Sequence, residues 1–518
     1  MTESVDLPIP RIVISGLRGG SGKTILSLSL VTAFRKRGLR ITPFKKGPDY
    51  IDAGWLAKAA GEPCYNLDLF MMTPEQVLRS FFEHTLKGQG ARGKGQGTTA
   101  QLIAHDIALI EGNRGLYDGV DHQGTYSTAE LSKLIKAPVI MIVDCSKATN
   151  TIAAMILGCQ HMDDHVRIGG VVLNQVATAR QESVIRKAVE GRCRVPVAGA
   201  IPRLKKDPFP ERHMGLTPFQ EHFDVGKSLD AVAEIGDKYI DVDAILTIAK
   251  ETVSLKIAEC GMRNAELQKH RSAEVQKRKR KTELKSEIRS PKSEIKIGVI
   301  RDSAFQFYYQ ENFEELEKRG VQLIEVSPLN ENSLPEIDAL YIGGGFPETH
   351  AVALAENSHF KTSLRSAIET GLPVYAECGG LMYLGKSLVL HGKTYPMVDA
   401  LPVSFGLENK PRAHGYTIVE VTQENPYYPL KTVLKGHEFH YSHVLEPLLS
   451  FPVIKGGGRG GNFAFTMKRG KGIIDGKDGM WYKNIFATYT HLHALGAPEW
   501  ADGLVRCAMK YKGQGQPG

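Results

Sequence analysis

The sequence lacks the features that would place the chain in or across a membrane. No stretch of its 518 residues approaches the ~18 uninterrupted apolar residues that a transmembrane helix needs. The first residues, MTESVDLPIPR, contain no apolar segment of the kind found in secretory signals. The seven cysteines are scattered and none forms a CxxC pair, so a disulfide framework is not expected. We therefore expect a cytoplasmic protein with no membrane partner.

Excess basic charge is also missing from most of the chain. The net charge is +8, but residues 263–292 hold eleven Lys and Arg against four Glu, which leaves a surplus of about one for the rest. This run has few apolar and no aromatic residues, so we interpret residues 255–294 as a solvated linker. Contact of the run with nucleic acid or a membrane is the weaker alternative. No nucleic-acid partner is expected.

Strand-like and helix-like segments alternate on both sides of the linker. Short apolar runs bounded by turns, such as RIVISG and APVIMIVD before it and DALYIGGG and LPVYAECGG after it, predict parallel sheets covered by helices. We therefore predict an α/β protein of two doubly wound domains, residues 8–254 and 295–511. Short strand-like runs rich in Tyr and Gly predict an antiparallel addition in the C-terminal third. The Gly/Gln-rich stretch Lys87–Thr99 is predicted to be a flexible surface loop.

The segment ISGLRGGSGKT, residues 14–24, is typical of a phosphate-binding loop between a strand and a helix. Its glycines let the backbone curl so that N–H groups face an anion, while Lys23 and Thr24 offer an ammonium for the outer phosphates and a hydroxyl for Mg²⁺. Five residues rather than four separate Gly16 from Gly22, which indicates a variant of the standard loop. The predicted ATP contacts in the loop are Gly19, Gly20, Ser21, Gly22, Lys23 and Thr24.

Carboxylates at other strand ends are candidates for holding the Mg²⁺ that accompanies ATP. Glu111 follows the strand-like run DIALI and is the first candidate, and Asp49 in PFKKGPDYIDAGW is the second. Asp52 and Asp118 could position substrate or metal. For each acid taken alone, a helix cap or a turn is an equal alternative. Asn174 ends the run GVVLN and could read the adenine base or form a turn.

A second set of residues favours nucleophilic chemistry at a cysteine. Cys378 follows the buried-type run LPVYAE and precedes two glycines and a helix, which is a nucleophile-elbow arrangement. The helix is expected to lower the pKa of the thiol and favour the thiolate. His491 and His493 in ATYTHLH are candidates for the base. The predicted oxyanion-hole amides are those of Gly344, Gly345 and Gly379.

These motifs resemble those of known families. ISGLRGGSGKT, PFKKGPDYIDAGW and EGNRGLYDG are similar to dethiobiotin synthetase and to amidases of the cobyrinic acid diamide synthase type. YIGGGFPE, YAECGGLMYL and ATYTH resemble triad-type glutamine amidotransferases. The resemblance spans nearly the whole chain outside the linker and Lys87–Thr99. The sequence is therefore identified as a member of the glutamine-hydrolysing cobyrinate a,c-diamide synthase family.

The resemblance implies a carbon–nitrogen ligase with a dethiobiotin-synthetase-like P-loop domain followed by a class I glutamine amidotransferase-like domain. It implies release of ammonia from glutamine at Cys378, with His491 as base, and amidation of the a- and c-acetates of cobyrinic acid through acyl phosphates made with ATP and Mg²⁺. It places Asn174 near the adenine. The implied substrate contacts are Lys46, Tyr50, Asp52, Tyr117, Asp118 and Arg212.

The family pattern also leaves alternatives open. General triad enzymes carry a Glu two residues after the catalytic histidine, but here that position is His493, so the orienting acid is unassigned and a Cys–His dyad is an alternative. The macrocycle could be sirohaem or Ni-sirohydrochlorin instead of cobyrinic acid. A regulatory ATPase with a non-catalytic C-terminal module, or a ligase with an inactive glutaminase domain, are rival functions. A homodimer is left open.

Overall fold

The structure is a computed structural model that describes residues 6–7, 9–86, 105–204, 209, 211–212, 215–256, 294–445 and 463–514. The loop Lys87–Thr99 and the basic run of the linker lie outside the described residues. The chain divides into two compact units, Met1–Ile288 and Arg289–Gly518. Within the described ranges no helix is long and apolar enough to cross a membrane.

The N-terminal unit alternates strands and helices along the chain. Its strands are β1 Asp6–Leu7, β2 Arg11–Gly16, β3 Ile41–Lys46, β4 Tyr65–Leu67, β5 Ile107–Gly115, β6 Val139–Asp144, β7 Ile168–Val176, β8 Val197–Pro202, β9 Glu211–Arg212, β10 Gly215–Leu216 and β11 Leu255–Lys256. Its helices are α1 Lys23–Lys36, α2 Ile51–Ala60, α3 Pro74–Leu86, α4 Thr128–Leu134, α5 Thr151–Met162, α6 Ala179–Cys193, α7 Val225–Tyr239 and α8 Val242–Lys250.

Seven of these strands form one parallel sheet in the order β4-β3-β5-β2-β6-β7-β8. β2 is buried at every position, as expected for a central parallel strand with helices on both faces. The chain crosses from β2 outward in both directions, so the sheet is doubly wound, as predicted. Ligands of such sheets bind beyond the carboxyl ends of the strands, next to the point where the strand order reverses. The loop after β2 lies at this point.

The C-terminal unit has shorter elements. Its strands are β12 Ile295–Ile300, β13 Phe305–Phe307, β14 Val321–Val326, β15 Ala339–Ile342, β16 Gly344–Gly345, β17 Val374–Glu377, β18 Ser387–Leu390, β19 Lys393–Pro396, β20 Ser404–Leu407, β21 Ala413–Val421, β22 Val433–His440, β23 Ser442–Val444, β24 Phe463–Arg469, β25 Lys477–Tyr482, β26 Ile485–Thr488 and β27 His491–Leu492. Its helices are α9 Gln310–Lys318, α10 Ala351–Glu356, α11 Ser358–Glu369, α12 Gly379–Leu384 and α13 Pro498–Gly513.

The main sheet of this unit is half parallel and half antiparallel. Its order is β14-β12-β15-β17-β26-β25-β24-β21-β22-β27. The first five strands pair in parallel, and the remaining pairs are antiparallel. The α/β alternation and the antiparallel addition predicted for the C-terminal third are therefore confirmed. The antiparallel strands extend the sheet beyond β26, and their last member, β27, begins with His491.

A buried guanidinium ties together the base of the N-terminal sheet. Arg11 in β2 is fully buried, and burial lowers its pKa to about 10. It donates to the backbone carbonyl oxygens of Ile9 at 2.7 Å, of Ile135 at 2.6 Å and of Val253. These carbonyls come from the chain before β2, after α4 and after α8. Because a buried carbonyl without a donor is costly, Arg11 fixes these three segments relative to β2.

Replacing Arg11 tests this role. Arg11→Met keeps much of the side-chain volume but leaves the carbonyls without donors, and we expect it to destabilise the protein by about 2–5 kcal/mol. Calorimetry of the whole chain should show an unfolding transition shifted to lower temperature. Arg37→Met is the matched control, because Arg37 pairs with Asp243 at the surface and such pairs contribute little. Equal effects of the two variants would contradict the role assigned to Arg11.

Candidate active site

The phosphate-loop sequence forms a tight turn between β2 and α1. β2 ends at Gly16 and α1 begins at Lys23, with Gly20 at φ 71° and Gly22 at φ 98° in the left-handed region. The Ser21 hydroxyl and Lys23 Nζ both donate to the carbonyl oxygen of Arg18, at 2.9 and 3.3 Å. Burial, together with nearby Lys45, lowers the pKa of Lys23. The ammonium is therefore held at the rim of the loop, where an anion would meet it.

One side of the loop is open and the other is closely packed. A Cβ added at Gly19 or Gly20 would meet nothing within 4 Å. At Gly22 it would lie 2.4 Å from Nδ2 of Asn174, an atom that donates to the Ser21 carbonyl oxygen at 2.9 Å. The structure thus places Asn174 against the loop, where it supports the backbone.

A lysine that sequence reasoning missed connects the carboxylates of this unit. Lys45 Nζ lies 2.6 Å from Asp52 Oδ2 and 2.8 Å from Glu111 Oε1. Thr24 Oγ1 donates to the same Glu111 oxygen at 2.9 Å. Burial alone would lower the pKa of Lys45, but the attraction of Asp52 and Glu111 prevails and raises it well above its usual range. Lys45 is therefore a charged link between the acids beside the phosphate loop.

The structure separates the roles of the two aspartates in PFKKGPDYIDAGW. Asp52 contacts the Lys45–Glu111 pair directly, and the attraction of Lys45 outweighs burial and lowers the pKa of Asp52. Asp49 Oδ1 instead accepts the backbone N–H of Asp52 at 3.1 Å, at the start of α2. Burial, aided by the nearby Asp52 charge, raises the pKa of Asp49 to about 7. Asp49 is the second predicted Mg²⁺ ligand, and in the structure it accepts an amide of the first turn of α2, whereas Asp52 makes the direct contact with Lys45.

The other residues expected to bind substrate lie in different settings. Lys46 ends β3 and is buried, and burial lowers its pKa. Tyr50 precedes α2. The Tyr117 hydroxyl donates to the Cys159 carbonyl oxygen at 2.6 Å, and Asp118 Oδ2 accepts the Gly115 amide at 2.8 Å within a turn. Arg212 lies in the two-residue strand β9, and its side chain is outside the described residues.

The cluster fits a divalent cation bound together with phosphates. Thr24, Asp52 and Glu111 offer oxygen donors, which Mg²⁺ prefers. Oε2 of Glu111 is buried and makes no hydrogen bond within the described part of the chain. No group of three His, Cys, Asp or Glu in that part forms a complete metal site. This agrees with the usual way in which Mg²⁺ is held, by one or two carboxylates plus the phosphates of a nucleotide.

Cys378 has the strained backbone of a nucleophile elbow. It follows β17 and precedes α12, with φ 48° and ψ −98°, a conformation that non-glycine residues rarely adopt. Its amide donates to the Thr488 carbonyl oxygen at 2.8 Å. Its Sγ lies 3.8 Å from the Phe439 carbonyl oxygen. The amide bond to the neighbouring strand β26 and the thiol contact with β22 therefore hold Cys378 at the carboxyl end of β17.

The expectation that the following helix lowers the thiol pKa is wrong for this structure. Burial, aided by the negative charge of Glu348, raises the pKa of Cys378. α12 has only six residues, and a short helix dipole offers less than the loss of hydration costs a buried thiolate. Burial also lowers the pKa of His491 to about 3. The thiol and the imidazole are thus both neutral at rest.

His491 is oriented by a carboxylate. Its Nδ1 lies 3.0 Å from Oε2 of Glu377, and both side chains are at most 2% exposed. Its Nε2 makes no hydrogen bond within the described part of the chain. The ring packs on Phe307 with centroids 4.1 Å apart. Glu377 precedes Cys378 in the motif YAECGG, but adjacency in sequence does not reveal which way a strand-end side chain points, so its contact with His491 was not predicted.

The glycines predicted to form an oxyanion hole lie close to His491 and to one another. A Cβ at Gly344 would lie 2.6 Å from Cε1 of His491, and one at Gly379 would lie 3.0 Å from the Gly345 amide nitrogen. Gly345 itself has φ 158° and would bring a Cβ within 2.1 Å of the Ala304 carbonyl oxygen. Side chains are therefore excluded from this corner, and backbone amides come near Cys378.

Asp478 fixes the segment that leads to His491. Its fully buried carboxylate accepts the backbone amides of Gly479, Tyr489 and Thr490 at 2.8–3.0 Å. It also accepts the hydroxyls of Thr488 and Thr490 at 2.7 and 2.8 Å. A carboxylate with this many donors holds the local backbone in one conformation. No local pattern in the sequence indicated this contact.

The other histidines near this site have separate partners. His493 Nε2 lies 3.5 Å from Glu311 Oε1. His440 stacks on Tyr489 with ring centroids 3.6 Å apart, and its Nδ1 lies 2.9 Å from the Ser442 carbonyl oxygen. Burial lowers the pKa of His437 to about 3. The contacts of His440 support a structural role for this residue.

The two sets of residues define a class of protein, in which a P-loop nucleotide-binding unit is joined to a cysteine-dependent glutamine amidotransferase. Comparison with known families agrees with this definition. Residues 12–216 match the family described as CobQ/CobB/MinD/ParA nucleotide binding domain. Residues 296–499 match the family described as CobB/CobQ-like glutamine amidotransferase domain.

Similar proteins extend over both units. The chain is 38% identical to the cobyrinate a,c-diamide synthase of Magnetococcus marinus over 96% of this chain and 97% of that protein. It is 37% identical to the cobyrinate a,c-diamide synthase of Archaeoglobus fulgidus over 98% of this chain and 99% of that protein. It is 34% identical to the cobyrinate a,c-diamide synthase of Methanothermobacter thermautotrophicus over 97% of this chain and 100% of that protein. The chain therefore belongs to the cobyrinate a,c-diamide synthase family.

The close contact of Gly344 with His491 gives a test of the geometry. Gly344→Ala would push a methyl group against the imidazole, and we expect glutamine hydrolysis to fall by about 100-fold, because small displacements of a reacting group have effects of this size. Gly513→Ala is the control, since a Cβ there meets nothing within 4 Å. Initial rates of glutamate release measure both. Activity of Gly344→Ala close to that of the control would contradict the packing described.

Proposed function

We propose that the protein catalyses ATP-dependent amidation of the a- and c-acetate carboxylates of cobyrinic acid, with ammonia taken from glutamine, in cobalamin biosynthesis. The observation that carries this proposal is the presence, in one chain, of both sets of reactive residues together with full-length similarity to proteins named cobyrinate a,c-diamide synthase. A phosphate loop alone would fit many ATPases. A reactive thiol alone would fit many hydrolases.

Glutamine hydrolysis is assigned to Cys378 and His491. The Cys378 thiol transfers its proton to Nε2 of His491 as Sγ attacks the glutamine amide carbon. The amides of Gly344, Gly345 and Gly379 are proposed to stabilise the oxyanion that forms. His491 then gives the proton to the leaving nitrogen, and ammonia departs. Water hydrolyses the remaining thioester to glutamate and restores the thiol.

Carboxylate activation is assigned to the phosphate loop and the acids beside it. Gly19, Gly20, Ser21, Gly22, Lys23 and Thr24 are proposed to bind the phosphates of ATP, with Asn174 next to the base. Thr24, Asp52 and Glu111 would hold Mg²⁺, with Asp49 supporting Asp52 through the start of α2. Bound Mg²⁺ neutralises charge on the phosphates. A substrate acetate oxygen attacks the γ-phosphorus, ADP leaves, and an acyl phosphate forms. Ammonia then attacks the acyl carbon and displaces phosphate to give the amide.

Lys45 is proposed to separate the two acids from the cation position until nucleotide binds. Its ammonium occupies the space between Asp52 and Glu111. Substrate binding is assigned to Lys46, Tyr50, Tyr117, Asp118 and Arg212 as the family resemblance implies. The hydrogen bonds of the Tyr117 hydroxyl and the Asp118 carboxylate make a positioning role more favourable than direct contact for these two.

The remaining features of the proposal concern partners and location. The substrates are small molecules, namely ATP, glutamine and a tetrapyrrole polycarboxylate, and no nucleic-acid or membrane partner is proposed. We propose a cytoplasmic location, and a homodimer is the simplest assembly to test. Sirohaem or Ni-sirohydrochlorin is the alternative macrocycle, because nothing in the phosphate or thiol chemistry distinguishes these substrates.

Mass spectrometry of the product tests the reaction and the substrate together. The protein is incubated with ATP, Mg²⁺ and glutamine, and cobyrinic acid, sirohaem and Ni-sirohydrochlorin are offered in parallel. We expect two successive amidations of cobyrinic acid. Lys23→Ala should give no product, whereas Lys36→Ala, which changes an exposed residue of the same helix, should give the wild-type product. ATP hydrolysis without amidation of any macrocycle would favour a regulatory ATPase.

Loss of the Cys378 thiol should separate the two half-reactions. Cys378→Ser should lower glutamine-dependent amidation by at least about 1,000-fold, because a nucleophile of this kind contributes this much or more. Amidation driven by added ammonium salt should stay at the wild-type rate. The matched control is Cys507→Ser, since Cys507 lies in α13 and its thiol contacts the Pro426 carbonyl oxygen. Retained use of glutamine by Cys378→Ser would overturn the assignment of the nucleophile.

A further inference from the structure

Glu377 provides a buried acid on the side of His491 opposite to the free ring nitrogen. It is the last residue of β17 and comes directly before Cys378. Its Oε2 lies 3.0 Å from Nδ1 of His491, which is 114 positions away in the chain. An Nδ1–H donated to this oxygen fixes the tautomer in which Nε2 carries a lone pair. Nε2 is the atom that has no hydrogen bond within the described residues.

The position that carries the acid in general triad enzymes cannot supply it here. That position is His493, which is fully buried and whose Nε2 lies 3.5 Å from Glu311 in α9. Its Nδ1 accepts the Leu495 amide at 3.3 Å, and its ring packs on Tyr309 with centroids 5.0 Å apart. His493 is therefore engaged with α9 and with the backbone that follows it. A second residue must orient His491 if the imidazole is to act as a base.

Glu377 is itself held by a chain of hydrogen bonds. The Tyr341 hydroxyl donates to its Oε2 at 3.3 Å, and Asn312 Nδ2 lies 3.4 Å from that hydroxyl. Asn312 Nδ2 also donates to the Leu492 carbonyl oxygen at 3.0 Å, and its Oδ1 accepts the Ala494 amide at 2.7 Å. The network thus contacts both the acid and the backbone next to His491. Their relative position is fixed from both sides.

We propose that Glu377, through this contact, is the positioning residue that makes His491 a base, and that the site is a Cys378–His491–Glu377 triad whose acid precedes the nucleophile in the sequence. This inference rests on the proposed glutamine hydrolysis at Cys378. When the thiol proton moves to Nε2, a cationic imidazolium forms beside Glu377. Glu377 accepts the Nδ1–H as a carboxylate both before and after the transfer, and it stabilises the cation because opposite charges in contact attract. No other group gains or loses a proton in this step.

Three variants of the full-length protein test the proposal, with glutamate release measured in the presence of ATP, Mg²⁺ and cobyrinic acid. Glu377→Gln has nearly the same shape, but its NH₂ group can donate to Nδ1 and select the wrong tautomer. We expect its kcat to fall by at least about 100-fold, with the KM for glutamine changed by less than about threefold. Glu377→Asp retains an acid and should keep more activity than Glu377→Gln. Glu311→Gln, which alters the other buried Glu–His pair, should be close to wild type.

The order of kcat among the Glu377 variants distinguishes a role in positioning His491 from a role in packing alone. A purely structural role predicts that the isosteric Gln is tolerated better than the shorter Asp, and this order would overturn the proposal. Wild-type kcat in Glu377→Gln would also overturn it. Ammonium-driven amidation should be unchanged in all three variants, which checks that each chain is folded. Failure of the proposed function itself has a different signature, because the wild-type protein would then release glutamate no faster than Cys378→Ser.

A further variant, Tyr341→Phe, tests the proposal even if the Glu377 variants fail to fold. Tyr341→Phe removes only the hydroxyl that donates to Glu377 and keeps the aromatic packing. We expect it to lower kcat by about tenfold, the lower range for loss of a supporting hydrogen bond, without changing KM. The covalent labelling rate of Cys378 by an electrophilic glutamine analogue, followed by mass spectrometry of the intact chain, should fall in the same order as kcat. Unchanged labelling in both Tyr341→Phe and Glu377→Gln would contradict the triad.

Discussion

The register of a few parallel strand pairs determines which side chains can meet in both units. In the N-terminal unit, β5 lies between β2 and β3, and its Glu111 pairs with Ile14 on one side and Lys45 on the other. In the C-terminal unit, β17 pairs with β26 so that Glu377 lies opposite Thr488, three residues before His491. A slip of one residue in either register would turn these side chains to the other face of the sheet. The chemistry of both sites therefore depends on backbone pairing.

Burial is the second common feature, because it controls the protonation of every reactive group. Lys45 remains charged because Asp52 and Glu111 enclose it. At Cys378 and His491 burial is the largest influence, and it keeps both groups neutral at rest. A neutral thiol is a poor nucleophile. In the proposed mechanism, proton transfer to a correctly oriented imidazole activates the thiol. Contacts with Glu377 and Gly344 surround His491, and Asp478 fixes the segment before it.

Local patterns in the sequence predicted the elements that depend on neighbouring residues. The strand–loop–helix at residues 14–24, the elbow at Cys378 and the α/β alternation are all properties of short segments. The contacts of Lys45, Asp478 and Glu377 join residues far apart in the chain, so no local pattern could indicate them. Asp49 and Asp52 are three residues apart, and only the structure shows that Asp49 accepts the Asp52 amide while Asp52 pairs with Lys45. The predicted lowering of the Cys378 pKa was wrong because the sequence reveals the helix that follows the thiol but not how deeply the thiol is buried.

Transfer of nitrogen from glutamine to the macrocycle is the central claim, and isotope labelling measures it directly. Glutamine labelled with ¹⁵N in its side-chain amide would be supplied with ATP, Mg²⁺ and cobyrinic acid, without ammonium salt, and the product analysed by mass spectrometry. The account predicts a diamide in which both new amide nitrogens carry the label. A diamide without label, or hydrolysis of both ATP and glutamine with no amidated macrocycle, would contradict it.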